Sequence, residues 1–340
     1  MLVELLLPLF SLIIAWGLTS IFRRYAIVNS LLDLPNARSS HDLPTPRGGG
    51  LAIVITFLLV ILGLGVIGYV HWRMVIVFAG AGGLIALIGF VDDHGHVAAY
   101  IRLVGHFFGV IWALVWLGDM PPLTVFDYTF ESNWFVYLLV AIYLVWLLNL
   151  YNFMDGIDGI ASIEAISVCL GAAFLTWLNV PDLISWLIPV LLATTVAGFL
   201  YWNFPPARVF MGDAGSGFLG IILGILSIQS LWVASQLFWA WLILLGVFIV
   251  DATVTLLRRV LQGEKFYQAH RSHAYQYASR KYNAHLPVTL AVLSINVMWL
   301  FPIAYLVAMK YIEGILGVLL AYFPLLMLAL IFKAGVREEI

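Results

Sequence analysis

Asn149-Leu150-Tyr151-Asn152-Phe153-Met154-Asp155-Gly156-Ile157-Asp158-Gly159 stands between two apolar runs, roughly 134–150 and 160–178. Each run is long enough to cross a bilayer. The polar side chains recur every three residues, at 149, 152, 155 and 158. A helical segment would therefore show them on one face. Carboxylates are costly in hydrocarbon, so this stretch reads as a turn at a membrane edge, placed there for a polar ligand. Gly156 and Gly159 leave the backbone open to close approach. The plainer alternative is a polar helix cap.

The rest of the chain fits that reading. Of 340 residues, 63% are hydrophobic and 10% charged, with a mean hydropathy of +1.04. That balance excludes a soluble domain. Runs of spanning length occur at roughly 2–22, 49–70, 74–91, 103–118, 134–150, 160–178, 183–202, 215–233, 237–257, 288–308 and 312–332. The expected fold is an all-α polytopic integral membrane protein of about eleven transmembrane helices, forming a single domain over 1–340. The first run lacks a basic leader and a small-residue cleavage site, so it reads as a retained helix. Cys169 is the only cysteine, which excludes an intrachain disulfide.

Basic residues set the expected orientation. Arg23, Arg24, Arg38, Arg47, Arg102, Arg208, Arg258, Arg259, Lys265, Arg271, Arg280, Lys281, Lys333 and Arg337 fall on one side, against Arg73 and Lys310 on the other. The N-terminus is thus expected outside (periplasmic), and the C-terminus in the cytoplasm. Every polar stretch then faces the cytoplasm, where nucleotides are.

Three further stretches join the first. Asp92-Asp93 ends the third run, where paired acids could bind Mg²⁺ or supply a base. A solvated helix end is the plain alternative. Gly212-Asp213-Ala214-Gly215-Ser216-Gly217 opens the eighth, and free N–H groups at a glycine-stripped helix start suit a phosphate. Asp213 is either a helix cap or a metal ligand. His270-Arg271-Ser272-His273 lies in the longest cytoplasmic loop, where arginine offers a bidentate fork to a diphosphate. The first cytoplasmic loop carries Asp33-Leu34-Pro35-Asn36-Ala37-Arg38-Ser39-Ser40-His41 and Thr45-Pro46-Arg47-Gly48-Gly49-Gly50. Asn36, Arg38 and Arg47 are candidate substrate-binding residues there, with His41 available for anions. Glu164 and Asp251 lie within spans and read as structural acids.

Taken together, these stretches resemble the polyprenyl-phosphate N-acetylhexosamine-1-phosphate transferase family, glycosyltransferase family 4. The N-x-x-N-F-M-D-G-x-D-G run followed by G-D-x-G-S carries the resemblance, which covers essentially the whole chain. It implies an enzyme of the bacterial inner membrane that moves a sugar-1-phosphate from a UDP-sugar onto undecaprenyl phosphate and releases UMP. Asp92, Asp93 and Asp213 are then catalytic, Asp92 deprotonating or orienting the lipid phosphate. Asp213 and Asn152 would hold Mg²⁺, with Mn²⁺ as the alternative ion. Asp155 and Asp158 would lie near the nucleotide, Asp158 against the uracil, and His270, Arg271 and His273 would grip diphosphate and sugar. The implied partners are the UDP-sugar, the polyprenyl phosphate and the bilayer. A homodimer is left open, and no nucleic acid is expected.

Peptidoglycan members carry a triple histidine and T-P-T-M-G-G, where this chain has His-Arg-Ser-His and Thr-Pro-Arg-Gly-Gly. Its D-x-P-N-x-R-S-S-H run resembles the branch that initiates O-antigen or related surface polysaccharides. The expected sugar is an N-acetylhexosamine or a 6-deoxy relative. The phospho-N-acetylmuramoyl-pentapeptide transferase is the alternative within the family. Phosphoryl transfer needs positioning and charge neutralisation above all. A single displacement is expected, with a covalent aspartyl intermediate as the lesser alternative. A CDP-alcohol phosphotransferase would need D-G-x-x-A-R, which fails after Asp158-Gly159. An intramembrane aspartyl protease would need G-x-G-D, but Phe210 holds the first glycine's place. A proton-coupled transporter would put acids at midplane, where only Asp251 and Glu164 qualify.

Overall fold

The computed structural model describes residues 2–34, 43–95, 97–125, 128–180, 183–264 and 270–337. Its helices are α1 (Leu2–Val28), α2 (Leu51–Val66), α3 (Trp72–His94), α4 (Ala99–Leu117), α5 (Trp134–Met154), α6 (Ile160–Asn179), α7 (Leu183–Asn203), α8 (Asp213–Gln229), α9 (Ser235–Leu244), α10 (Gly246–Leu261), α11 (Ala274–Tyr282), α12 (Leu286–Ala308) and α13 (Gly314–Ile331). Two short hairpins complete the described residues: β1 (Leu32–Asp33) with β2 (Thr45–Pro46), and β3 (Leu123–Val125) with β4 (Tyr128–Phe130).

Among the described residues, nine helices are long and apolar enough to cross a membrane. The other two expected spans take different forms. The run at 49–70 is the 16-residue α2; at 1.5 Å per residue it falls short of a hydrocarbon core about 30 Å thick. The run at 237–257 is broken into α9 and α10, bent by 66°. The expected eleven crossings are thus nine full-length helices, one bent pair and one short helix.

Burial grades outward from α8. Some 89% of its apolar window is inside the protein, against 17% for α1 and for α4. A helix that is apolar all round belongs at the centre of such a bundle. It packs on α3 and α5, so its N-terminus meets the ends of both.

The two intramembrane acids serve different joints, Glu164 near the break and Asp251 at the start of α11. A break frees N–H groups at the start of α10, and lipid cannot satisfy them. Glu164 of α6 faces the main chain of Phe248 there and accepts from Asn296 Nδ2 of α12 at 2.6 Å. Asp251, one turn further along α10, accepts from the start of α11.

Candidate active site

The site grows from the N-terminus of α8. Its first N–H groups have no partner within the helix and carry partial positive charge. Asp93, at the end of α3, answers them from the next element. Its Oδ1 accepts from Asp213 N at 3.0 Å and its Oδ2 from Ala214 N at 3.3 Å. Two glycines allow this approach. A Cβ on Gly89 would stand 2.5 Å from Asp213 O and Ala214 N, and one on Gly212, where φ is +78°, would stand 2.6 Å from Asp93 Oδ2. The Asp92-Asp93 pair and the Gly-Asp motif are therefore one unit, although 119 residues separate the nearer of their aspartates.

The two adjacent acids diverge. Asp93 is buried, with 4% of its side chain exposed, and its carboxylate caps a helix. In this geometry its carboxylate holds the start of α8 and faces Arg47. Asp92 accepts from Val97 N at 2.8 Å and pairs with Arg102 Nη1 of α4.

Arg47 arrives on a backbone ladder. Phe210 N donates to Pro46 O at 2.8 Å, Gly49 N to Phe210 O at 3.0 Å, and Gly50 N to Met211 O at 2.9 Å. This sets the guanidinium between two acids, with Nε 2.8 Å from Asp93 Oδ1 and Nη2 2.8 Å from Asp213 Oδ1. Burial opposes its charge, but Asp213, Asp93 and Asp33 overcome that and hold the guanidinium protonated more firmly than usual. Arg102 Nη1 lies 3.6 Å from Asp213 Oδ2. Asn152 Nδ2 donates to Asp213 Oδ1 at 3.2 Å and to Ser216 Oγ at 2.9 Å. Asp213 is the most open acid of the cluster, with 22% of its side chain exposed.

Asp213, Asp92, Arg102 and Asn152 form the polar end of a cavity of about 920 Å³ between α3, α4, α5 and α10. Below them come Asn149 and His106, then an apolar stretch that includes Ile85, Leu103, Phe107, Val145 and Trp146. A second cavity, of about 680 Å³, lies against Arg47 and Asp93 between α1, α2 and α3.

The remaining expected residues divide. Asp155 follows α5. Enclosure by the protein raises its carboxyl well above the usual carboxylate range; Asp213, Asp93 and Asp158 add to the shift, and Arg47 opposes it. Asp158 is not open to a base in this geometry. Its Oδ2 accepts from Ala207 N at 2.9 Å, its Oδ1 stands 3.1 Å from His285 Nδ1, and its carbonyl accepts from Thr289. Nor is the space beside Gly156 and Gly159 left for a ligand. The Tyr275 hydroxyl fills the first, and Gly159 packs beside Pro205 with φ +73°. His273 is buried, 3% exposed, with Nδ1 3.3 Å from Asp251. It too offers no free face of the kind expected. His270 stacks on it at 4.9 Å, and Arg271 O accepts from Arg280 at 3.0 Å. The histidine segment is therefore a separate patch, joined to the end of α5 by Tyr275, whose hydroxyl donates to Phe153 O at 3.0 Å. Asn36, Arg38 and His41 lie outside the described residues.

Sequence reasoning missed Arg102 as a site residue, because a basic residue at that membrane edge already had a use in setting orientation. His285 and Tyr275 carried no motif at all. The carboxylates of Asp92, Asp93 and Asp213 are oxygen donors of the kind Mg²⁺ prefers, while in this geometry Arg47, Arg102 and the Asn152 amide nitrogen face Asp213. Among the described residues, no three acids or histidines converge into a preformed metal cage, and Mg²⁺ commonly takes only one or two carboxylates, with phosphate and water besides.

Residues 74–231 match the family model described as glycosyl transferase family 4. The chain is 31% identical over 268 residues to a probable undecaprenyl-phosphate N-acetylglucosaminyl 1-phosphate transferase of Bacillus subtilis, covering 77% of this chain and 74% of that protein. It is 28% identical over 278 residues to a decaprenyl-phosphate N-acetylglucosaminephosphotransferase of Mycolicibacterium smegmatis, covering 74% and 68%. A phospho-N-acetylmuramoyl-pentapeptide-transferase of Oceanobacillus iheyensis is 29% identical over 203 residues, covering 54% and 61%. A multi-pass helical bundle with acids and arginines gathered at one edge is, on these likenesses, a membrane-embedded phosphotransferase. The chain belongs to glycosyl transferase family 4, the polyprenyl-phosphate N-acetylhexosamine-1-phosphate transferases.

Proposed function

We propose that this enzyme transfers an N-acetylhexosamine-1-phosphate from a UDP-sugar to undecaprenyl phosphate at the cytoplasmic face of the bacterial inner membrane. The observation that carries it is the junction at Asp213. Two arginines and Asn152 converge on one partly open carboxylate, at the polar end of a cavity that turns apolar beyond Asn149 and His106. A lipid phosphate needs that division, with charge at one end and hydrocarbon along the rest. GlcNAc is the sugar to test first, because the Bacillus and Mycolicibacterium relatives named for it align with more of this chain than the muramoyl-pentapeptide enzyme does. Initiation of O-antigen or a related surface polysaccharide is the role that the first-loop sequence favours.

In this reading the acceptor's phosphate lies against Arg102 with its chain along α4 and α5. A phosphomonoester loses its second proton near pH 6, roughly, so the attacking oxygen is already ionised and needs no base. Asp92 then holds Arg102 in place, a role different from the deprotonation or direct orientation of the lipid phosphate expected of it. Arg47 and Arg102 are held beside Asp213 before the donor arrives, so they can turn to the diphosphate without a large rearrangement. Asp213 and Asn152 would hold Mg²⁺, which supplies charge neutralisation on the diphosphate. His270 and Arg271 approach the donor from the side of α11.

Purified protein given UDP-GlcNAc and undecaprenyl phosphate should release UMP and form lipid-linked GlcNAc-diphosphate, read by mass spectrometry. Use of the UDP-muramoyl-pentapeptide alone would move the enzyme to the peptidoglycan branch. No UMP from any UDP-sugar would end the proposal.

A further inference from the structure

We infer that Asp251 positions the His270–His273 segment for the sugar-nucleotide, acting through the N-terminus of α11. This rests on the reading of that segment given above. Asp251 sits on α10, 8% exposed, and its carboxylate is the meeting point of four donors. Oδ1 accepts from Ala274 N at 2.9 Å and from Thr255 Oγ at 3.1 Å, with His273 Nδ1 at 3.3 Å; Oδ2 accepts from Tyr275 N at 3.0 Å. Two of these are the first N–H groups of α11, which no residue of that helix can satisfy.

The arginines on the same helix do not compete for it. Arg258 donates to Ala334 O at 3.3 Å, and Arg259 pairs with Glu264 at 2.7 Å. The acid thus has one structural object, the turn from His273 into α11. That turn is what aims the segment. His273 stacks between His270 and Tyr275, and Tyr275 reaches Phe153 O beside the Asn152 and Asp155 turn. Gly335 N donates to Ser272 O at 2.7 Å and steadies the outer side. Asp251 makes no hydrogen bond or ion pair with Asp92, Asp93 or Asp213, so removing its carboxylate would free the hinge of the segment while leaving the Asp213 cluster in place.

The separation gives a test that general destabilisation cannot imitate. Asp251→Asn puts an NH₂ group against donors, so the KM for UDP-GlcNAc should rise about tenfold or more, as loss of a hydrogen bond to a charged group implies. The KM for undecaprenyl phosphate should stay within about twofold, the mark of an interaction with one substrate only. Ala274→Pro reaches the same contact from the other side without touching the acid. Proline suits the first helical position, and the extended backbone of His273 (φ −68°, ψ 151°) accepts a following proline. It should raise the donor KM in the same direction by a smaller factor, and it carries the test if Asp251→Asn does not insert. Donor KM unchanged in Ala274→Pro, or donor and acceptor KM rising together in either variant, overturns the inference. If the unmodified protein releases no UMP, the functional reading falls and this inference with it. UMP release with a wild-type donor KM in both variants defeats the inference alone.

Discussion

Asp93→Asn and Asp213→Asn should fail in different ways, although both remove one negative charge from the same cluster. Asp93 uses both oxygens to cap α8. Asparagine keeps one acceptor and turns an NH₂ toward the other main-chain N–H. A buried donor left facing a donor costs about 1–3 kcal/mol. Loss of the ion pair with Arg47 adds less, about 1 kcal/mol or under, because 35% of that side chain is exposed and solvent screens it. The sum, about 1–4 kcal/mol, should lower the thermal midpoint in detergent by several degrees. Asp213→Asn keeps an oxygen for Arg47 and relieves the crowding of three acids, so its stability should stay within about 1 kcal/mol of the original, a midpoint shift of a few degrees at most. Its activity should fall roughly 10²–10³-fold, the usual loss for an electrostatic contact aimed at the reacting group. Parallel melting curves and UMP-release rates on the two variants check this. A larger loss of midpoint in Asp213→Asn than in Asp93→Asn would refute the assignment of the cap to Asp93, and full activity in Asp213→Asn would remove it from the reaction.

Other expectations are shorter. Arg271→Ala should weaken UDP-sugar use strongly and Arg271→Lys should recover only part, since lysine lacks the planar fork; equal kinetics for arginine and lysine would reduce the residue to a topology signal. The raised Asp155 carboxyl favours its protonated form in the folded protein. Its contribution to stability is therefore full below the unfolded carboxylate range and is lost as pH rises through the folded value. Asp155→Asn should flatten that part of the stability-versus-pH curve measured without divalent cations, and an unchanged slope would contradict the shift. Chelation should stop UMP release and added Mg²⁺ should restore it; activity persisting in excess chelator would exclude the metal. A reporter fused after Ile340 should be active only as a cytoplasmic reporter, because the basic residues lie so unevenly, and periplasmic activity would reverse the orientation.

The spans were legible in the sequence because lipid leaves little choice: an apolar run near twenty residues must close its backbone hydrogen bonds within itself. The acids at their edges were legible for the same reason, since carboxylates do not stand in hydrocarbon without a task. Length alone did not show that α2 stops after sixteen residues or that the run at 237–257 bends by 66°. Nor could spacing divide Asp92 from Asp93. Neighbours on a helix point about 100° apart, and which of them meets the start of α8 depends on the close approach that Gly89 permits. Asp158 and His273 read as open ligands from their motifs, yet His285 and Asp251, remote in sequence, occupy them in the folded chain. Arg102 read as a topology signal until α4 brought it to Asp92 and Asp213. Hydropathy and charge alone dictate which residues must gather at a membrane edge, because the solvent on either side imposes that. Which of them caps a helix, which aims an arginine and which remains open to substrate was decided only by the packing of helices against each other, because a side chain's partner is set by distance in space.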